Sequence, residues 1–267
     1  MGLFSSQHRI ADLRKIAGLL LTLSLVSSFP QTVSLAEEFR IGHCLHGCPL
    51  GTNTDNHLLL RPIYALSYNT GNKAADWAAY RVTTESIGIA SSLSRRPRQD
   101  SFVADTLQAA DFNGSEEVGL SRSHFVPLVN FAGTPYWNEV NFLTNIVART
   151  PNLNRGAWYG LEWSIRNLVN REGEVFVVTG PIYKSIQEAP QLQTTRLHRV
   201  PDAFFKIVIT EAGRGSAFIF DQSVPVHVHH CELRTTISEI EDATGLRFFP
   251  DAAQLNVIPL DSSLGCS

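Results

Sequence analysis

One long helical pattern lies in the middle of a chain whose other segments are patterned as short strands. From Asn154 to Asn170 apolar residues recur at helical spacing, and Gly173 lies just beyond them as a stop signal. The apolar positions are Ala157, Trp158, Leu161, Ile165, Leu168 and Val169. A second helix is predicted to begin near Ser238 and to end before Gly245.

Strand-like segments separated by turn signals fill much of the remaining sequence. They cover residues 63–68, 77–83, 142–148, 175–179, 204–210, 217–220 and 224–233. Because 43% of the 267 residues are hydrophobic, the chain can bury a sizeable core and is too apolar to be disordered. We therefore predict an α+β fold, a mixed or antiparallel sheet core flanked by helices, in one domain over residues 37–267.

Residues 1–36 have the pattern of a secretory signal peptide. Three basic residues, the last of them Lys15, precede an apolar run of 14 residues, 16–29, and a small-x-small cleavage site ends at Ala36. An uncleaved membrane anchor is the alternative, but a helix that spans a bilayer needs about 20 residues. The sequence thus predicts a secreted or periplasmic mature chain without stable membrane association.

All four cysteines, Cys44, Cys48, Cys231 and Cys266, lie in the predicted mature part of the chain. An even number of cysteines in an exported protein predicts disulfide bonds. Four cysteines allow three connectivities. The simplest pairs Cys44 with Cys48 and Cys231 with Cys266, which would restrain the C-terminal tail.

Metal binding is the competing interpretation, since histidines surround the cysteines. His43 and His46 lie near the first two, and His227, His229 and His230 precede the third. On a strand, alternate residues from His227 onward would share one face, and His/Cys tracts can hold zinc. Because no CxxC pair is present and an oxidising compartment consumes thiols, we predict disulfides, with the later histidines on a solvated polar strand.

A histidine beside an arginine and two serines gives the chain its most informative segment, residues 119–128. Residues Gly119 to Ser123 nearly match the G-x-S-x-G nucleophile elbow of α/β-hydrolases, with Ser121 in the place of the nucleophile. The final glycine is missing, and no βα alternation surrounds it, so a serine hydrolase is disfavoured. His124 alone would be typical of a structural histidine.

Several motifs taken together resemble the secreted sugar-non-specific DNA/RNA endonucleases of the ββα-metal, or His-Me finger, class. The family motif D-R-G-H-x-x-P reads Ser121-Arg122-Ser123-His124-Phe125-Val126-Pro127, and the motif N-x-G-A-W-x-x-L-E is intact from Asn154 to Glu162. Shorter matches lie at 98–102, 141–145, 178–181 and 220–222. The resemblance covers nearly the whole mature chain in the expected order, and it implies a ββα-metal active-site motif within the α+β fold.

The resemblance implies a catalytic base with two neighbours. His124 matches the general base that activates water, Arg122 lies beside it, and the backbone carbonyl of Asn141 would orient its imidazole. A neutral imidazole suits this role because its pKa lies near the working pH. Arg98 matches the arginine that stabilises charge on the scissile phosphate, to which a guanidinium offers paired donors.

The resemblance also implies a single metal ion. Asn154 matches the protein ligand of one Mg²⁺, for which Mn²⁺ could substitute, and Glu162 matches the acid that orients metal-bound water. Mg²⁺ keeps several waters and needs few protein ligands. Residues eight apart on one helix are about 12 Å apart along its axis, so both side chains cannot be inner ligands. Without the other motifs, Asn154 would be read as a helix cap.

Two positions depart from the family pattern. Ser121 replaces an aspartate, which removes a negative charge, and Ser123 replaces a glycine, which would be strained if the backbone there were restricted to glycine. We expect a secreted Mg²⁺-dependent endonuclease that hydrolyses DNA and RNA with little sequence specificity and leaves 5′-phosphate ends. The alternative is a weakened or inactive member that binds nucleic acid or metal. The sequence leaves open whether the protein is a monomer or a homodimer.

The overall charge does not favour nucleic acid as a partner. Without residues 1–36 the chain has 19 basic and 24 acidic residues, a net charge of −5. Arginines nevertheless lie in or beside the motifs, and Arg95, Arg96 and Arg155 are the predicted substrate-binding residues in addition to those already named. A local basic cleft on an acidic body predicts weak, salt-sensitive binding.

Overall fold

One large sheet organises the fold, and a separate hairpin lies beside it. The computed structural model describes residues 40–186, 188–252 and 257–266, so the predicted signal peptide lies outside the described residues. The elements in that part of the chain are β1 (His57–Leu60), β2 (Ala65–Asn69), β3 (Ala74–Thr83), β4 (Ser121–His124), β5 (Ile146–Arg149), α1 (Pro151–Arg155), α2 (Ala157–Glu172), β6 (Glu174–Ile182), β7 (Ala203–Ile209), β8 (Arg214–Asp221), β9 (Arg234–Thr235), α3 (Ile237–Thr244) and β10 (Ile258–Pro259).

The large sheet has the strand order β1-β2-β3-β6-β7-β8-β10, and β9 also pairs with β8. Its neighbouring strands are antiparallel except for β10, which runs parallel to β8. The hairpin of β4 and β5 is a second, two-stranded sheet. This arrangement confirms the predicted α+β fold with a largely antiparallel core. Four strands, β1, β4, β9 and β10, were not predicted.

Both faces of the central strands are buried, which accounts for their continuous apolar sequences. Along β7, Phe204 and Val208 belong to the core that includes the apolar stripe of α2, whereas Phe205 and Ile207 belong to a second core with Ile240 of α3. Fully burying each such side chain contributes about 1.5–3 kcal/mol. Lys206 lies between Phe204 and Val208 in the same alternation, and so it lies on the α2 face of the strand.

The long helix predicted from Asn154 is interrupted at Gly156, where the backbone has φ −92° and ψ −117°. A Cβ at Gly156 would lie 2.5 Å from the carbonyl oxygen of Val226, so only glycine permits this approach. Asn154 therefore belongs to α1 and Glu162 to α2. The expectation that Asn154 and Glu162 lie on one continuous helix was wrong. The break at Gly156 therefore sets their relative position.

The predicted strand over 224–233 is also wrong, because the segment is a loop that ends in a 3₁₀ turn, His230–Leu233. Pro225 lacks the N–H that a ladder requires. His230 is only 2% exposed and its Nε2 contacts the carbonyl of Leu264 at 3.1 Å, so it is not a solvated strand residue. His227 and His229 are exposed.

Two disulfide bonds join the cysteines in the simplest predicted pairing. Cys44 is bonded to Cys48, and Cys231 to Cys266. Ligand atoms of His229, His230 and Cys231 lie within 4.8 Å of one another, but the Cys231 sulfur is consumed by its disulfide. All four cysteine sulfurs are in disulfides, so none is available as a thiolate ligand for zinc. Among the described residues, no helix combines the length and the hydropathy needed to cross a bilayer.

Candidate active site

The hairpin of β4 and β5, followed by α1, brings together the residues of the two main motifs. His124 ends β4 and pairs with Ile146 of β5, while Ser121 pairs with Arg149 at the other end of the ladder. Asn154 follows in α1, five residues after Arg149. The strand–strand–helix order is the one that the sequence resemblance implied.

The chain just after His124 is held by a buried asparagine of the 141–145 motif. Asn145 donates from Nδ2 to the carbonyls of Val126 at 3.1 Å and Val140 at 2.8 Å. Its Oδ1 accepts the N–H of Val126 at 2.9 Å, and its backbone carbonyl accepts the N–H of Phe125 at 3.1 Å. A fully satisfied buried amide rigidifies this segment, and so it fixes the backbone that carries His124.

The imidazole of His124 is oriented by the side chain of Asn141. Nε2 of His124 lies 3.3 Å from Oδ1 of Asn141, and Nδ2 of Asn141 donates to the carbonyl of Ser94 at 2.9 Å. The contact to Ser94 fixes the amide orientation, so Oδ1 is the atom that faces the ring. An amide oxygen only accepts; hence Nε2 carries the proton and Nδ1 carries the lone pair.

This contact corrects the expectation that the backbone carbonyl of Asn141 orients the ring. That carbonyl instead accepts the backbone N–H of Arg98 at 2.8 Å. The same stretch is joined a second time where the N–H of Leu143 donates to the carbonyl of Arg98 at 2.9 Å. Asn141 therefore connects the Arg98 segment, through its backbone, to His124, through its side chain.

Burial lowers the pKa of His124 to about 4. The hydrogen bond to Asn141 acts in the opposite direction, and the positive charges of Arg122, Arg149 and Arg95 lower the pKa further. At neutral pH the imidazole is therefore uncharged and its lone pair is available.

The segment that carries Arg98 is anchored by a buried ion pair. Asp100 pairs with Arg61, and both side chains are almost fully buried. Thr144 donates its hydroxyl to Asp100 at 2.7 Å, which joins the segment to the 141–145 motif. The side chain of Arg98 is exposed and its guanidinium lies 5.0 Å from the ring centroid of Phe142. Asp100 and Arg61 were not identified as positioning residues from the sequence.

The other predicted arginines fall into two places. Arg122 is exposed and donates from Nη2 to the carbonyl of Arg95 at 3.3 Å, and both charges act on His124. Arg96 is exposed beside them. Arg155 is exposed on α1, where its Nε donates to the carbonyl of Pro151 at 3.3 Å; no contact joins it to the others.

The turn that carries Asn154 is tied to the large sheet by Gln222, a residue of the 220–222 motif. The backbone N–H of Thr150 donates to Oε1 of Gln222 at 2.8 Å, and the Thr150 hydroxyl donates to the Gln222 carbonyl at 2.7 Å. Nε2 of Gln222 donates to the carbonyls of Ala148 and Pro201. This matched motif thus positions the start of α1.

A fully buried arginine lies between the two motifs. Nη1 of Arg149 donates to Oδ1 of Asn154 at 3.0 Å, and both terminal nitrogens lie 3.4 Å from the carbonyl oxygen of His124. The guanidinium lies 3.7 Å from the ring centroid of Trp158 and 4.5 Å from that of Phe204. Burial lowers the pKa of Arg149 to about 9, which leaves it charged at neutral pH.

A second buried cation contacts the ring of Trp158. Nζ of Lys206 lies 3.4 Å from Oε1 of Glu162 and 3.8 Å from the centroid of the Trp158 ring. Burial lowers the pKa of Lys206 to about 8. Neither Arg149 nor Lys206 was identified from the motifs. One sequence signal was available, because each is a charged residue within an otherwise apolar strand. A charged side chain is rarely buried without a partner, so this pattern indicates a buried interaction.

The donor set around Asn154 fits a hard divalent cation. The amide oxygen of Asn154 has two lone pairs, of which Arg149 occupies one. Glu162 supplies a carboxylate in the adjoining buried cluster, where its charge acts on Arg149 and its Oε1 faces Lys206. Oxygen ligands, few of them from protein, are what Mg²⁺ takes.

The two serines that depart from the family pattern fit into β4 without backbone strain. The Ser121 hydroxyl donates to the carbonyl of Arg149 at 2.9 Å. Ser123 is buried, and its φ does not lie in the positive region that favours glycine. The strain considered for Ser123 is therefore absent, because an extended strand position accepts any residue.

Comparisons with known proteins agree with this geometry. The family model described as DNA/RNA non-specific endonuclease matches residues 46–255. The chain is 34% identical to a nuclease of Serratia marcescens over 230 residues, which is 81% of this chain and 85% of that protein. It is 32% identical to a nuclease of Nostoc sp. over 71% of this chain and 69% of that protein.

More distant relatives include mitochondrial nucleases. The chain is 26% identical to mitochondrial endonuclease G of Bos taurus over 72% of this chain and 68% of that protein. A crystal structure of an EndoG/EndoGI complex contains a chain with the same fold, at a TM-score of 0.69 and 22% identity, over 84% of this chain and 97% of the other.

Proposed function

The chain belongs to the DNA/RNA non-specific endonuclease family, and on that premise we propose that this hydrolytic nuclease is exported, depends on Mg²⁺ and uses His124 as its general base. Its substrates are DNA and RNA, cut with little sequence specificity. The observation that carries the proposal is the hydrogen bond between His124 and Asn141, with the amide of Asn141 locked by Ser94. It leaves Nδ1 of an uncharged imidazole as the proton acceptor.

The reaction follows from that tautomer. Nδ1 of His124 takes a proton from a water molecule as the water oxygen bonds to phosphorus. The bond from phosphorus to the 3′ oxygen breaks, and that oxygen takes a proton from solvent. The products then carry a 5′-phosphate and a 3′-hydroxyl. General-base assistance of this kind contributes about 10²–10⁴-fold to the rate.

Arginines from three segments would neutralise the negative charge of the substrate phosphates. Arg98 is held beside Asn141 by its backbone, and its exposed guanidinium can pair with phosphate oxygens. Arg122 and Arg95 contact each other near His124, and with Arg96 and the more distant Arg155 they would bind the flanking phosphates. These cations supply a basic patch on a chain of acidic net charge.

Asn154 would hold the metal ion, and Glu162 would orient a water bound to it. When bound there, Mg²⁺ supplies Lewis-acid stabilisation of the negative charge on the phosphate and the leaving oxygen. Mn²⁺ has the same preference for oxygen ligands and would substitute. Lys206 holds a positive charge beside the Glu162 carboxylate and so helps to fix its position.

Export is supported by two kinds of observation. The first 36 residues have the pattern of a signal peptide, cleaved near Ala36. Both cysteine pairs of the folded part form disulfides, which persist in oxidising compartments. We place the mature protein in the periplasm or outside the cell.

Cleavage of plasmid DNA and of RNA by the purified mature protein tests the proposal. With Mg²⁺ both substrates should be degraded, and EDTA should stop the reaction. His124→Ala should lower the rate by about 10²–10⁴-fold. His227→Ala, which replaces an exposed histidine of the 224–229 loop, should retain full activity.

A folded protein that binds nucleic acid but cuts neither substrate with any divalent cation would favour the inactive alternative. That alternative also predicts that the double change Ser121→Asp and Ser123→Gly switches cleavage on. Equal activity of His124→Ala and the unchanged protein would reject His124 as the base.

A further inference from the structure

Arg149 introduces a fixed positive charge at the oxygen that would hold the metal. Its Nη1 donates to Oδ1 of Asn154 at 3.0 Å, and the same group contacts the His124 carbonyl at 3.4 Å. A guanidinium stays protonated in proteins, so this charge persists across the working pH range. The Asn154 oxygen is therefore shared between a resident cation and any ion that binds there.

The guanidinium has no room to withdraw. Arg149 is fully buried, and its planar group is packed against the rings of Trp158 and Phe204 at 3.7 Å and 4.5 Å from their centroids. Its backbone is held in β5, where its carbonyl accepts the hydroxyl of Ser121. A flexible surface arginine could swing away from an incoming ion, whereas this one is held by packing.

The carboxylate of Glu162 does not cancel the charge. Glu162 acts on Arg149 electrostatically, but its contact at 3.4 Å is with Lys206. The cluster around the Trp158 ring, which reaches Asn154 through Arg149, thus contains two buried cations, Arg149 and Lys206, against one carboxylate. A divalent ion that approaches Asn154 meets a net positive environment, which weakens its binding because like charges repel strongly in a low dielectric.

We propose that Arg149 competes with the divalent cation for the amide oxygen of Asn154 and thereby sets the cation affinity of the active site. The inference rests on the proposed metal site at Asn154. In the protein without substrate, Arg149 keeps the affinity low. A bound phosphate brings negative charge to the same place, so the cation binds more tightly once nucleic acid is present.

Mn²⁺ alone is the probe, measured by the electron paramagnetic resonance signal of the free ion in the absence of nucleic acid. Arg149→Gln removes the charge and keeps an amide that can donate a hydrogen bond. We expect it to bind Mn²⁺ at least about tenfold more tightly than the unchanged protein, since the repulsion is gone. Arg149→Lys keeps the charge and should remain a weak binder.

Circular dichroism and a melting curve of each variant establish that it is folded before the titration. If a folded Arg149→Gln protein binds Mn²⁺ no more tightly than the unchanged protein, the inference is overturned. Equal tightening by the Lys and Gln variants would also overturn it, because packing and not charge would then be responsible.

Asn154→Ala separates this inference from the proposed function. If the unchanged protein and Arg149→Gln bind Mn²⁺ no better than their Asn154→Ala counterparts, the metal ligand itself is wrong and both proposals fail. If Asn154→Ala abolishes binding in each background but Arg149→Gln changes nothing, only the inference about Arg149 fails.

Discussion

Lys206 and Glu162 meet beside the indole ring of Trp158, with Nζ 3.4 Å from Oε1 and 3.8 Å from the ring centroid. The lysine is fully buried and its position is fixed by the alternation of β7, whereas the glutamate projects from α2. The pair therefore links the large sheet to the helix that follows the turn carrying Asn154.

Lys206→Met should destabilise the fold and reduce activity. Removing one partner of a buried pair leaves the other charge uncompensated, which costs about 3 kcal/mol of unfolding free energy. Activity should fall roughly tenfold, since the contact that holds the Glu162 carboxylate in place is lost. Urea denaturation and plasmid cleavage measure the two effects. Lys184→Met, at a solvent-exposed ion pair, should cost less than about 1 kcal/mol.

The acid limb of the pH–rate profile should lie near pH 4. Burial and neighbouring arginines lower the pKa of His124 from 6.5 to about 4, so the base stays unprotonated, and the enzyme active, down to that pH. Arg122→Gln removes a positive charge and should move the limb to higher pH. kcat/KM between pH 3.5 and 8 tests both; a limb at 6.5 in the unchanged protein would contradict the prediction.

Asn141→Ala should lower kcat by about 10–100-fold with little change in KM, because the hydrogen bond that fixes the imidazole tautomer is lost. The substrate-binding arginines are untouched, so binding should persist. Steady-state kinetics on RNA separates the two constants. Asn113→Ala, at an exposed asparagine, serves as the matched control, and a larger effect on KM than on kcat would argue against the positioning role.

The two disulfides should contribute unequally to stability. Cys231 and Cys266 close a loop with a sequence separation of 35, and Cys44 and Cys48 one of 4. Loop-closure entropy then predicts losses of about 4 and about 2 kcal/mol when each pair is replaced by serine. Guanidinium denaturation of the two double variants compares them directly; equal losses would rule out loop length as the cause.

Arg95→Ala and Arg96→Ala should each raise KM and reduce the slope of log affinity against log salt by about 1, since each removes one phosphate contact. Arg155→Ala tests the more distant predicted position in the same way. Arg247→Ala, at an exposed arginine outside the matched motifs, is the control and should leave the salt slope unchanged. A steeper slope in any variant would contradict the assignment.

The sequence predicted the fold class and the cysteine pairing correctly, because strand periodicity and cysteine number are local properties. It also identified His124 and Asn141 as neighbours, although the contacting atom was wrong, since motif matching does not distinguish a side-chain amide from a backbone carbonyl. The break at Gly156 was missed because the apolar helical pattern continues across it, and its cause is the approach of Val226, 70 residues later.

Arg149 and Lys206 show why the remainder of the site could not be predicted. Each lies in an apolar strand, and the sequence does not reveal that both pack against the same indole ring from separate strands. Likewise, a histidine-rich segment looked like a polar strand, yet tertiary packing buries His230 against the Leu264 carbonyl. Long-range contacts, not local propensity, decide these positions.

The contact between Gln222 and Thr150 limits how far the catalytic motif can be treated as a transferable module. Two hydrogen bonds from Thr150, at 2.8 Å and 2.7 Å, hold the turn before Asn154 to a residue just after β8. A peptide restricted to the hairpin and the two following helices would lack both. Grafting this site onto another scaffold therefore requires a substitute for Gln222 as well as the motif itself.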